Sequence, residues 1–264
     1  MFPQIRLFGV VTIPTYMLSF IAGLALSVLF AMRLAKKDGK DRYDVLYAAI
    51  YMVIGIGIGA KLFFFLSRIP NIIRNFDIYK ALWKLNKLEA LNYLFGGLVF
   101  YGGLIGALLG IIIYCRQYKV ELEPLIRIIA PFIPFAHAFG RIGCFLGGCC
   151  YGIAYDGPLA CHFDYNPLSP HLNEAPRFPV QLLEALLNFI CAGVLYILYK
   201  KTRLSGRKLV AIYLIYYTIA RFFLEYLRGD IERGHVGLLS TSQIISIVLL
   251  PVALIMLFIP EKTA

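Results

Sequence analysis

The chain has 264 residues, 60% of them hydrophobic and 16% charged, with a formal net charge of +11. A mean hydropathy of +0.74, with the apolar residues in long blocks rather than short amphipathic stripes, excludes an ordinary soluble domain. The positive charge flanks those blocks, as contact with anionic headgroups requires, and no arginine-aromatic module points to nucleic acid.

Crossing a hydrocarbon core of about 30 Å takes roughly 20 apolar residues at about 1.5 Å each. Seven segments meet this requirement: Val10 to Met32, Tyr43 to Leu66, Leu91 to Tyr114, Leu122 to Leu146, Val180 to Tyr199, Leu209 to Leu227 and Leu238 to Ile259. The expected fold is therefore an all-α, polytopic membrane protein, with residues 1–264 as a single domain. The first block has no small-residue cleavage site and no strongly basic leader, so it reads as a retained span rather than a signal peptide. Between the second and third spans, at about 68–90, Ile72, Ile73, Phe76, Tyr79, Leu82, Trp83 and Leu85 alternate with basic residues, the pattern of an amphipathic arm lying among headgroups. Pro131 and Pro134 predict a kink in the fourth span, which a membrane tolerates only where the freed carbonyls meet protein or water.

Lysine and arginine set the orientation. Arg33, Lys36, Lys37, Lys40 and Arg42, then Arg116 and Lys119, then Lys200, Lys201, Arg203, Arg207 and Lys208 fall in loops that share a side with the C-terminus. That side is expected to be cytoplasmic and the N-terminus outside, although Arg68, Arg74, Lys80, Lys84 and Lys87 of the arm count the other way. The long loop at about 147–179 then lies outside, with Arg177 against Asp156, Asp164 and Glu174.

On this topology the polar residues inside the spans gather at the outer end: Tyr16 in span one, Tyr101 with Gly102 and Gly103 in span three, His137 and Arg141 in span four, Gln181 and Glu184 in span five, Arg221 and Glu225 in span six. Separations of three or four residues put each pair on one helix face. Intramembrane ionisable groups are costly and mark sites by default. Each has a plainer reading as well. Arg221 and Glu225 can be a neutralising ion pair, Tyr16 and Tyr101 can be interface aromatics, and Lys61 and Arg127 are expected to snorkel. The convergence carries the inference: two arginines beside backbone-accessible glycines suit a phosphate, and in a pocket open to lipid that phosphate belongs to a phospholipid.

Four motifs in order, Tyr101-Gly-Gly-Leu-Ile-Gly, Gly140-Arg-Ile-Gly-Cys-Phe with Tyr151-Gly152, Phe178-Pro-Val-Gln-Leu-Leu-Glu184, and Ala220-Arg-Phe-Phe-Leu-Glu225 followed by Arg228-Gly-Asp, resemble the prolipoprotein diacylglyceryl transferase family. The similarity runs from Tyr16 to Ser242-Gln243. It implies a seven-span enzyme of the bacterial plasma membrane that moves the diacylglyceryl group of phosphatidylglycerol onto the lipobox cysteine thiol in a prolipoprotein signal peptide, as a thioether, releasing glycerol phosphate. By the same resemblance Arg141 and Arg221 hold the phosphate, and Glu225 and Gln181 organise the site. Tyr16, Gly143 and Gly152 join Gly102, Gly103 and Glu184 around the substrate. The nucleophile is the substrate's own thiol, so no protein nucleophile, metal or cofactor is expected, and the partners are membrane lipids and the prolipoprotein, met by a monomer.

The chain departs from the family pattern at three places. Tyr101 stands where the family usually has His, Cys144 where it has Asn, and Cys149 where an acidic residue usually follows. A phenol with a reference pKa near 10 is a poor base, so His137, one turn before Arg141, is the candidate imidazole, the alternative being a structural histidine bonded to a kinked carbonyl. Cys149 or Cys150 with Cys161 is a candidate disulfide on the outer side. The spacing Cys-x4-Cys-Cys with a later Cys-His is not a recognised zinc pattern. Three rival functions stay open: a relative with a changed acceptor, a quinone-linked thiol oxidoreductase using Cys144, Cys149 and Cys150, and a transporter built around the broken fourth span.

Overall fold

The computed structural model describes residues 4–7, 11–163, 174–230 and 234–260. A short hairpin, β1 (Gln4–Leu7) with β2 (Val11–Pro14), precedes α1 (Thr15–Lys37). Helix α1 starts later than the expected Val10 because Val11, Thr12 and Ile13 are β-branched and Pro14 cannot continue a helix backwards. Next come α2 (Arg42–Arg74), α3 (Phe76–Leu85), α4 (Lys87–Phe95), α5 (Phe100–Tyr118), α6 (Leu122–Ile129) and α7 (Phe132–Gly147). The chain ends with α8 (Val180–Lys201), α9 (Gly206–Leu224) running into a 3-10 turn at Glu225–Leu227, a hairpin of β3 (His235–Val236) and β4 (Leu239–Ser240), and α10 (Thr241–Phe258).

Helices α1, α2, α5, α8, α9 and α10 are long and apolar enough to cross a bilayer, and the pair α6 and α7, bent by 44° across a short break, would together make a seventh. The bend falls where Pro131 and Pro134 remove amide donors, as the sequence predicts. Exposed Ile54 (55%), Ile58 (64%) and Val248 (61%) would be untenable in water and face lipid instead. The chain is a multi-pass membrane protein. Helix α2 outruns its expected end at Leu66 by eight residues, so the amphipathic segment begins at Phe76 and continues into α4. Gly96 and Gly97 then delay the third span from Leu91 to Phe100.

The chain folds as two compact units, residues Asp38–Leu125 and residues Met1–Lys37 with Ile126–Ala264. In the first, α2 and α5 cross through glycines: a Cβ on Gly106 would lie 2.0 Å from the Gly55 carbonyl oxygen, and one on Gly102 would lie 2.4 Å from that of Gly59. Two glycine-lined faces let the backbones approach, the usual means of close packing where lipid removes any hydrophobic drive between helices. Lys61 Nζ donates to the Phe95 carbonyl and so covers the end of α4, rather than only reaching for headgroups.

In the second unit, α7 lies against α1 and α8, α8 against α9, and α9 against α10. Ser19 and Ser27 of α1 donate to the Phe139 and Phe132 carbonyls (2.6 and 3.3 Å), and the Ala130 carbonyl, which Pro134 leaves without its usual donor, accepts from the Ile133 amide (3.3 Å). Arg127, expected to snorkel, instead donates to the carbonyls of Tyr199, Thr202 and Leu204 (2.9, 3.0 and 2.9 Å) and lies 4.3 Å from the Tyr199 ring, capping the C-terminus of α8.

Candidate functional site

The chain's alternation brings one set of helix ends together in the second unit: the C-termini of α7 and α9 meet the N-termini of α8 and α10. Arg141 in the last turns of α7 pairs with Glu184 in the first turns of α8 (Nη2 to Oε1, 2.9 Å). Arg221 near the end of α9 pairs with Glu225 (2.8 Å) and donates to Ser242 Oγ at the start of α10 (3.0 Å). Glu184 is buried at 2% exposure and accepts also from the Tyr217 hydroxyl at 3.3 Å. Both guanidiniums interact electrostatically with His137 and with Tyr217, so the two ion pairs share one neighbourhood.

Pairing does not exhaust either cation. Arg141 Nε and Arg221 Nη1 are buried donors with no hydrogen-bond partner, and Gln181 Oε1 is a buried acceptor in the same condition. Gln181 Nε2 donates to the Cys149 carbonyl (2.8 Å), which fixes the amide and leaves its oxygen aimed away from that bond. Two orphaned N–H groups on permanent cations and one orphaned carbonyl oxygen make a site short of an anion that carries a hydroxyl.

His137 is engaged on both sides. Its Nδ1 lies 2.8 Å from the Tyr213 hydroxyl and its Nε2 lies 3.9 Å from Glu184 Oε1. The Nδ1 contact is a hydrogen bond in either tautomer, because a phenol hydroxyl both donates and accepts, and Nε2 lies beyond hydrogen-bond reach of the Glu184 carboxylate. The expected alternative, a bond to a kinked carbonyl, is not what holds the ring; a tyrosine holds it.

Tyr16 is 44% exposed at the start of α1 and interacts electrostatically with Arg141 and with Cys144, Cys149 and Cys150. Gly143 lets α7 approach α1: a Cβ there would lie 3.0 Å from the Tyr16 carbonyl oxygen. Gly152 sits in an antiparallel bridge with Arg228, where a Cβ would be 2.2 Å from the Phe178 carbonyl oxygen. Arg228 is itself held by Asp230 (2.7 Å). Tyr101, Gly102 and Gly103 belong to α5 in the other unit; Tyr101 packs edge-on against Phe100, and the two glycines are buried against α2.

The expected disulfide is not formed, since all six cysteines are free thiols. Cys161 is drawn away by a two-way backbone pairing with Arg177 (2.9 and 3.0 Å). Cys144, Cys149 and Cys150 converge instead, their sulfurs all within 4.8 Å of one another. Of the two in the loop, Cys150 is held far below the ordinary thiol range by hydrogen bonds from Cys144 and Cys149, helped by Arg228 and Arg141, while the same sharing pushes Cys149 up. The loop at 147–179 is described only at 147–163 and 174–179, so Asp164 lies outside the described residues.

A model of the prolipoprotein diacylglyceryl transferase family matches residues 3–259. The chain belongs to that family. It is 34% identical over 228 residues to the phosphatidylglycerol-prolipoprotein diacylglyceryl transferase of Clostridium tetani, covering 85% of this chain and 84% of that one. It is 31% identical to the enzyme numbered 2 of Clostridium perfringens, covering 89% and 87%, and 26% identical to that of Methylococcus capsulatus, covering 95% and 92%. As a member of the transferase family it is a membrane-embedded enzyme, and the polar helix ends described above are its candidate active site.

The site holds residues that sequence reading passed over. Tyr213 and Tyr217 stand eight and four residues before Arg221, on one face of α9, and that spacing was the available signal. Ser242 was marked only as the end of the family resemblance, because nothing in the sequence tells which serine in an apolar helix will meet a guanidinium.

Proposed function

We propose that the protein transfers the diacylglyceryl group of phosphatidylglycerol to the lipobox cysteine thiol of a prolipoprotein, at the outer leaflet of the bacterial plasma membrane, forming a thioether. The observation that carries the reading is the pair of buried guanidiniums, each fixed by its own carboxylate and each retaining a free donor. Arg141 Nε and Arg221 Nη1 bind the lipid phosphate, and Gln181 Oε1 accepts from a hydroxyl of the glycerol headgroup. The acceptor's sulfur attacks the glyceryl carbon, the C–O bond to phosphate breaks, and its electrons leave on the phosphate oxygen. Negative charge grows there, so donors already aimed at that oxygen lower the barrier without reorganising.

Glu184 and Glu225 are positioning residues, holding the arginines in the fork geometry that phosphate needs. His137, whose Nδ1 meets the Tyr213 hydroxyl and whose Nε2 faces Glu184, is read as a positioning residue. Beside Arg221, two apolar grooves flank the ridge of Ile219 and Phe223, one of about 390 Å³ against α8 and one of about 260 Å³ against α10. They suit the two acyl chains. The arm α3 and α4 lies in the headgroup plane, a placement supported by exposed Ile78 (70%), Leu85 (85%) and Leu88 (78%) among its lysines. The lysine and arginine distribution supports an N-terminus outside and a C-terminus in the cytoplasm.

A thiol oxidoreductase gives Arg221, Glu225 and Gln181 no work and is not favoured. The purified protein, incubated with labelled phosphatidylglycerol and a lipobox peptide, is expected to yield a diacylglyceryl thioether. Quinone-dependent oxidation of a peptide dithiol with no thioether would replace this reading with the oxidoreductase.

A further inference from the structure

The spacing of Cys144, Cys149 and Cys150 matches no recognised metal pattern, yet the fold gathers the three thiols. Cys144 is in the last turn of α7 and is buried. Gly148 ends that helix in the left-handed region, with its amide on the Cys144 and Phe145 carbonyls, and so turns the chain back over the helix end. Cys150 takes the same conformation (φ 56°), which a residue with a side chain rarely does, and the result is three sulfurs within 4.8 Å of one another. Zinc-thiolate bonds of about 2.3 Å put tetrahedral sulfurs about 3.8 Å apart, so closing on an ion asks for a shift of about 1 Å at most.

We propose that Cys144, Cys149 and Cys150 form a three-thiolate site for a thiophilic divalent cation, Zn²⁺, whose fourth position takes the acceptor's thiol. Charge supports it: three thiolates and Zn²⁺ leave one net negative charge, and Arg141 and Arg228 both interact electrostatically with Cys150. Softness supports it too, since a set made only of thiolates selects such ions over magnesium or calcium. Three protein ligands leave a tetrahedral ion one open position, the arrangement of reactive rather than purely structural zinc.

The thiol role rests on the transferase reading given above. There the acceptor's thiol must lose its proton before it attacks, since the thiolate is the reactive form. A coordinated thiol loses its proton to water, the sulfur stays on the ion as thiolate, and its electron pair forms the C–S bond as the glyceryl C–O bond breaks toward phosphate.

The test uses the full chain in detergent or nanodiscs, fully reduced and metal-free, titrated with Co²⁺. One equivalent is expected to bind with a thiolate-to-cobalt charge-transfer band, competed away by Zn²⁺. Cys144→Ser, Cys149→Ser and Cys150→Ser are each expected to weaken binding by about tenfold or more, while Cys161→Ser and Cys115→Ser leave it intact. Cys149 is exposed, so its serine variant keeps the packing and its result cannot be laid to unfolding. No charge-transfer band in reduced protein, or a band unchanged in all three variants, overturns the site. In the lipobox-peptide assay, removing zinc is expected to lower transfer by about tenfold or more and restoring it to recover the rate. Undiminished transfer by metal-free protein overturns the thiol role. A cobalt band in protein that transfers nothing, even with Zn²⁺, leaves the metal site standing and removes the transferase reading.

Discussion

Glu184→Gln separates the charge of the buried pair from its shape. Glutamine keeps the side-chain length and an acceptor oxygen for Arg141 and Tyr217, so what disappears is the negative charge 2.9 Å from the guanidinium. At an effective dielectric constant of about 20, unit charges whose centres lie about 4 Å apart attract by about 4 kcal/mol. The side chains are 14% and 3% exposed, so water screens little of that, and breaking one partner of such a pair costs about 3–5 kcal/mol because a buried cation is left unpaired. Glu184→Gln is therefore expected to lose about 3–4 kcal/mol of stability, read by denaturant unfolding in detergent, and to fall well below wild type in thioether formation. The double variant Arg141→Met, Glu184→Leu replaces the pair with apolar groups of similar volume. It is expected to recover most of the stability and none of the activity. If Glu184→Gln unfolds at the wild-type midpoint, or the double variant is as unstable as the single, the pair is not the electrostatic unit described.

Three further outcomes follow from particular contacts. Gly152→Ala drives a Cβ to within 2.2 Å of the Phe178 carbonyl oxygen, so backbone must move; a loss of about 1–3 kcal/mol in the same unfolding measurement is expected, together with reduced transfer. Arg127→Met removes three bonds from a charged donor to the end of α8, far from the polar helix ends, and should cost about 1–3 kcal/mol while the rate of the surviving folded protein is kept. His137→Gln tests the positioning role: transfer should fall by less than about tenfold, whereas a loss of roughly 10²–10⁴ would make the histidine a general base.

The membrane spans were legible because apolar length is a strong signal, and so were the helix pairs His137 with Arg141, Gln181 with Glu184, and Arg221 with Glu225, because spacing alone puts them on shared faces. What spacing does not give is which pairs meet. Arg141 takes its carboxylate from Glu184, since α7 packs on α8. Span ends also resisted, because the helix of α2 persists through an amphipathic stretch and the β-branched run before Pro14 forms a hairpin. The cysteines were misread for a local reason. Two residues in the left-handed region, Gly148 and Cys150, fold the loop back onto α7, and for Cys150 no composition rule would have announced it. Arg127 looked like a snorkelling cation until the last turn of α8 and the loop after it placed three carbonyls around it.

The central claim is that Arg141 and Arg221 together read a phospholipid phosphate. Native mass spectrometry of the delipidated protein, offered phosphatidylglycerol and diacylglycerol in equal amounts, measures that most directly. The wild type is expected to retain phosphatidylglycerol over diacylglycerol, and Arg141→Ala with Arg221→Ala to retain the two alike. Equal retention by the wild type, or a preference for phosphatidylglycerol that survives loss of both arginines, would contradict the account.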